Sequence, residues 1–281
     1  MPAVPEAPAA EPQAIEGANG TANGAVEAVP GAAIELSALG HDFGELEVIE
    51  RLDLRIGAHE VLGLVGPSGC GKSTLLELIA GLREPARGSI LIDGEASESG
   101  RLARCAYLPQ RDLLLPWFTA IDNASLALRN RGAPRADARA GAHPLFERFG
   151  LAGFERARPH ELSGGMRQRV AFLRTLLAGK PVLLLDEPFA SLDAITRAEM
   201  QEWLAGALAA EPRTTVLVSH DVEEALYVCD RVVVLSARPA AALAELSAPT
   251  PRLLPRPEAV TDPTFVATRE RALWAMREGS R

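Results

Sequence analysis

Gly66-Pro67-Ser68-Gly69-Cys70-Gly71-Lys72-Ser73 fits the pattern G-x-x-x-x-G-K-[ST] at every specified position. It follows a strand-like run, Val61-Leu62-Gly63-Leu64-Val65, and opens Ser73 to Leu82, where Leu75, Leu78, Ile79 and Leu82 recur at helical spacing. In that context the glycines let backbone N–H groups turn inward around a polyphosphate. The new helix presents its positive end, and Lys72 adds a point charge near the β- and γ-phosphates. Ser73 is then placed to ligate magnesium. A glycine-rich turn that binds nothing is the alternative, and Gly, Lys and Ser in this register between these two elements argue against it.

A phosphate loop alone does not separate kinases, GTPases and motor ATPases. Further along, Val182-Leu183-Leu184-Leu185 reads as a strand covered on both faces, and it ends in Asp186-Glu187 with Pro188 as a stop. An acid emerging at a strand's carboxyl end beside the phosphate loop is placed to hold magnesium, directly or through water. A second acid there can orient or deprotonate an attacking water. The alternative is a charged pair facing solvent.

The rest of the chain bounds the architecture. At 281 residues with 47% hydrophobic composition it can bury a large core in one domain, and a net charge of -8 argues against nucleic acid as a partner. Cys70, Cys105 and Cys229 lack metal-ligand spacing and fit a reducing compartment. No secretory signal or membrane-length apolar run is present, so a cytoplasmic location is expected. Residues 1–32, rich in Ala, Pro, Gly, Glu and Asn, read as a disordered tail.

From residue 33 short β-like segments follow: Ile34 to Leu39, Leu52 to Ile56 and Ser89 to Gly94, suited to an antiparallel β subdomain. Thr215 to Ser219 and Val232 to Leu235 join Val182 to Leu185 as continuous apolar strands separated by helices, which predicts an α/β fold with a mostly parallel core sheet. Between about 111 and 177 the pattern is that of an inserted helical subdomain. Within it Leu114-Leu115-Pro116-Trp117-Phe118 reads either as core or as a docking surface. Residues 33–238 are expected to form the nucleotide-binding domain and 239–281 a C-terminal extension, with a last helix near Thr264 to Arg277.

Leu162-Ser163-Gly164-Gly165-Met166-Arg167-Gln168-Arg169 is, by residue chemistry alone, a capped helix start near Met166 with an N-terminal anion site. With the phosphate loop and Asp186-Glu187 it resembles the signature of the ATP-binding-cassette (ABC) transporter nucleotide-binding subunits. Gln110 in Tyr107-Leu108-Pro109-Gln110 resembles that family's glutamine loop, Ser191-Leu192-Asp193 its D-loop, and His220 its switch histidine. The resemblance spans about residues 33–237 in the family's order.

The resemblance implies a mechanism. Two copies bind head-to-tail around two ATP molecules. Each ATP is held by Phe43, stacking on adenine, by Gly66 to Thr74 and by Gln110 of one copy, and by Ser163, Gly164, Gly165 and Asp193 of the other. Core packing is the alternative for Phe43. Ser73, Gln110 and Asp186 are expected at Mg2+, and Glu187, His220, Lys72 and Gln110 at the reacting γ-phosphate.

It further implies a separate integral membrane permease received beside Leu114 to Phe118, an extracytoplasmic solute-binding protein, and a peripheral position on the cytoplasmic face of the inner membrane. Leu-Leu-Pro-Trp after Gln110 is similar to the nitrate, sulfonate and taurine importer group. Phe172 to Leu177 with Asp193 to Met200 is similar to its hydroxymethylpyrimidine thiamine-precursor branch. A soluble ABC-type ATPase of DNA repair or translation is the rival, and it lacks here the coiled-coil insertion or second cassette it would need.

Overall fold

The parallel core is built on β3 (Val61–Val65), which lies between β7 (Thr214–Ser219) and β8 (Arg231–Leu235) and is buried along its whole length. The computed structural model describes residues 31–190, 192–249 and 254–279. The sheet order is β5-β6-β7-β3-β8-β9, with β5 (Cys105–Leu108), β6 (Val182–Asp186) and β9 (Ala242–Ser247), and β9 is an antiparallel edge strand.

Side chains in these apolar runs alternate between two cores, as a period of two requires. Leu62, Leu64, Val182 and Leu184 join one cluster, with α1 (Lys72–Ala80) and a three-stranded antiparallel sheet. That sheet has the order β2-β1-β4, from β1 (Ile34–Phe43), β2 (Leu46–Ile56) and β4 (Arg87–Ile92). Val61, Val65, Leu183 and Leu185 join the other cluster, beneath the remaining helices.

α2 (Glu98–Arg104), which leads into β5, packs against α1, and the remaining helices are the inserted group α3 (Ala120–Ala124), α4 (Leu126–Asn130), α5 (Arg135–Arg148) and α6 (Gly164–Leu176). They continue with α7 (Ala194–Ala210), α8 (Val222–Val228), α9 (Arg256–Ala259) and α10 (Pro263–Glu278). The helix expected to reach Leu82 stops at Ala80. Gly81 takes φ 75, and the Leu82 N–H turns back to the Glu77 carbonyl at 2.9 Å, leaving Leu82 half exposed.

Two expected boundaries meet the structure differently. Most of the tail expected over 1–32 lies outside the described residues, as does Ser191. Ala32, however, is fully buried, and its N–H donates to Thr214 Oγ1 at 3.1 Å. Composition misses this because a small residue counts for little in hydropathy yet fits a tight contact. Residues from 239 onward, set apart by sequence as an extension, supply the sixth strand and a helix that buries Phe265 and Ala272 in the main core.

Candidate functional site

The phosphate loop leaves the carboxyl end of β3 and closes on itself. Lys72, 5% exposed, donates from Nζ to the carbonyls of Gly66 at 2.8 Å and Pro67 at 2.9 Å. Gly71 takes φ 114, and a Cβ there would stand 2.7 Å from Val48 Cγ1, so conformation and space both require glycine. Cys70 is buried beneath the loop, where desolvation pushes its thiol pKa up, which is the opposite of an activated nucleophile.

A cavity of about 430 Å³ opens over this loop. Phe43, Leu46 and Val48 line one side, and Lys72 to Thr74, Gln110 and Glu187 the other. Phe43 is 44% exposed, its ring edge-on to His41 at 4.9 Å and faced by the Arg83 guanidinium at 5.1 Å. Core packing, the alternative for this residue, is therefore not its role. A larger cleft, about 830 Å³, runs between α8 and α10 and shares His220 with the site but none of the loop.

β6 delivers the two acids to different environments. Asp186 is 4% exposed, accepting from Ser73 Oγ at 3.1 Å and from Tyr107 Oη at 2.9 Å. Burial raises its pKa against the opposing pull of those two hydrogen bonds. Among the described residues no three His, Cys, Asp or Glu side chains gather as a metal cage. A cation beside Ser73 and Asp186 would thus complete its shell with phosphate oxygens and water, the sparse hard-oxygen set that suits magnesium.

Glu187, the next residue, takes φ 44, and its N–H donates to the Val218 carbonyl at 3.0 Å. This turn carries its carboxylate between two side chains from distant elements. Gln110 Nε2 lies 3.4 Å and His220 Nδ1 3.2 Å from Glu187 Oε2. The structure therefore brings Ser73, Gln110 and Glu187 to the cavity wall, with Asp186 held behind Ser73 and His220 behind Glu187.

The remaining expected residues sit elsewhere. α6 begins at Gly164, two residues before the expected Met166, because Ser163 is the cap and accepts from the Met166 N–H at 3.2 Å. A Cβ on Gly165 would stand 2.8 Å from Thr196 Cγ2, so the start of α6 is pressed against the start of α7. Asp193 caps α7 by accepting from the N–H groups of Ile195 and Thr196 at 3.2 and 3.1 Å. Ser163, Gly164, Gly165 and Asp193 do not line the cavity of their own copy, and Gly165 is buried at the contact with α7.

The Leu114 to Phe118 segment divides: Leu114 is buried, whereas Trp117 is 67% exposed. Next to it a cleft of about 520 Å³ is lined by Gln110, Arg111, Asp112, Arg167 and Ala190. Sequence reading assigned no role to Tyr107 or Arg238. Tyr107 stands three residues before Gln110 on a strand beside β6, a placement that strand pairing alone makes visible. Arg238 lines the cavity from beyond β8.

A family model described as ABC transporter matches residues 49–190. The formylaminopyrimidine import ATP-binding protein ThiZ of Halalkalibacterium halodurans is 44% identical over 202 residues, covering 72% of this chain and 78% of that protein. The aliphatic sulfonates import ATP-binding protein SsuB 1 of Rhodococcus jostii is 46% identical over 203 residues, covering 72% and 79%. Among solved structures, the dimeric ATP-binding cassette MJ0796 in a post-hydrolysis state bound to ADP and Pi superposes with a TM-score of 0.66 at 27% identity, covering 76% of this chain and 98% of that one.

Proposed function

This chain belongs to the ABC transporter family and is an ATPase, and from that premise we propose that it powers uptake of a small solute through a separate membrane permease. The solute class we favour is that of its relatives, a formylaminopyrimidine-type thiamine precursor or an organic sulfonate. Among the described residues no helix is long and apolar enough to cross a membrane. In this reading the chain is peripheral, seated on the cytoplasmic face of the inner membrane, and a solute-binding protein serves the same system from outside. Exposed Trp117, five residues along the chain from Asp112 of the Gln110 cleft, supports that side as the permease contact. The rival reading, a soluble ATPase of DNA repair or translation, has no support from relatives named as import proteins.

The division of labour within the site follows from placement. Phe43 takes the base, and the loop amides with Lys72 take the phosphates, Lys72 leaving the two carbonyls that hold it now. Ser73, Asp186 and Gln110 would hold magnesium, which would supply charge neutralisation to the phosphates. Glu187 orients and polarises the attacking water, and His220 steadies that water and the γ-phosphate. The domain is one ATPase unit that begins near residue 32 and takes in β9 and α10 beyond residue 238, with a helical subdomain at about 111–177.

One observation carries the dimer reading. The cavity is lined by the loop and Glu187, while the amide-rich start of α6 lies outside that lining in the same copy. A second copy docked head-to-tail would close each cavity with Ser163 to Gly165 and bring Asp193 alongside. The Glu187→Gln variant saturated with ATP is expected to run as a dimer in light scattering and to return to monomer with ADP. A chain that stays monomeric with ATP under blocked hydrolysis would sink this reading.

A further inference from the structure

Arg238 stands where no sequence motif placed a functional residue. β8 is the parallel neighbour of β3, so both strands end at the same edge of the sheet, the edge from which the phosphate loop springs. Three residues past the end of β8, the Arg238 guanidinium reaches the loop and donates from Nε and Nη2 to the Gly69 carbonyl, at 3.1 and 2.6 Å. It also lines the cavity that Phe43 and Lys72 line.

The turn that holds it is firmly built. Ser236 Oγ donates to the Pro239 carbonyl at 3.0 Å and accepts from the Ala241 N–H at 2.9 Å. Ala240 is buried, and its N–H donates to the Val48 carbonyl at 2.8 Å, on the strand whose Val48 forms the cavity floor beneath Gly71. The Ala237 N–H donates to the Gly279 carbonyl at the end of α10. Arg238 is thus fixed on both sides, by β2 and by the C-terminal helix.

Both guanidinium bonds run to one neutral carbonyl, so the positive charge remains available to an anion in the cavity. We infer that Arg238 is a further polyphosphate-binding group of this site, clamping Gly69 from outside the loop and adding a second fixed positive charge to that of Lys72. This inference rests on the reading of the cavity as the ATP site. Coulomb attraction scales with ligand charge, so the contribution grows from AMP through ADP to ATP. It weakens with ionic strength because the guanidinium is reached by solvent.

Equilibrium binding of AMP, ADP and ATP to the full chain, at low and high salt, tests this with Arg238→Gln and Arg238→Lys. The Gln variant keeps a donor and loses the charge, and is expected to bind ATP about fivefold more weakly at low salt, ADP less so and AMP least affected. The Lys variant loses the fork but keeps the charge, and should stay within about twofold of wild type. An equal loss for all three nucleotides would mean that Arg238 only shapes the loop, and unchanged ATP affinity would mean that it contributes nothing. A Lys variant as weak as the Gln variant would assign the effect to the forked bond alone, and each of these three results overturns the charge role. Wild-type protein that fails to bind ATP removes the site itself, a failure distinct from a normal Arg238→Gln.

Discussion

Glu187 holds a backbone conformation that costs a non-glycine residue about 1–2 kcal/mol, φ 44 immediately after the extended residues of β6. The cost is local, and its return is direction: the carboxylate leaves the strand axis and meets Gln110 and His220. Replacing it with glutamine preserves shape and removes the carboxylate that is proposed to polarise water. Glu187→Gln is therefore expected to bind ATP normally and to hydrolyse it about 10² to 10⁴ times more slowly in a steady-state phosphate-release assay. Normal turnover would contradict the assignment. Lys72→Ala should act on the other step, with weakened ATP affinity in an equilibrium titration, and unchanged affinity would count against the loop reading.

At the scale of elements, the inserted helices depend on one buried carboxylate. Asp122 on α3 is 1% exposed and accepts from Arg139 at 2.8 and 2.6 Å, from Arg135 at 3.1 and 2.7 Å, and from Thr119 Oγ1 at 2.9 Å. These bonds, those of Arg139 foremost, hold its pKa well below the ordinary 3.8. A depressed folded-state pKa means the stabilisation is complete above the unfolded value and is lost as pH falls beneath it. Asp122→Asn should thus cost about 2 kcal/mol at neutral pH. Urea unfolding of both proteins should show the gap narrowing once the pH drops below about 4. A gap independent of pH would mean that the ion pairs with α5 contribute no net stability.

At the scale of the molecule, the C-terminal residues are structural members of the ATPase core. Phe265 of α10 is 1% exposed within the cluster that also holds Val222 and Val228 of α8. Since α8 begins two residues after His220, the same packing steadies the helix onto which that histidine leads. Phe265→Ala should destabilise the whole chain by about 3–5 kcal/mol and lower its single thermal transition. A second, separate transition, with the main one unmoved, would show the C-terminal segment to be an independent unit.

By itself the sequence determined which local pieces the candidate site is built from: the loop from Gly66 to Ser73, the Asp186-Glu187 pair, the cap at Ser163, and the alternation of apolar strands and helices that specifies a parallel sheet. Those features were legible because their function depends on residues adjacent in the chain, through backbone turns, helix starts and strand periodicity. Only the tertiary structure decided that Tyr107 and Ser73 share Asp186, that Leu114 is core while Trp117 faces outward, that Ala32 is buried, and that Arg238 touches the phosphate loop. Each of these depends on which strands lie side by side. Strand order in a parallel sheet is settled by packing between segments far apart in the chain, and local patterning carries no record of it.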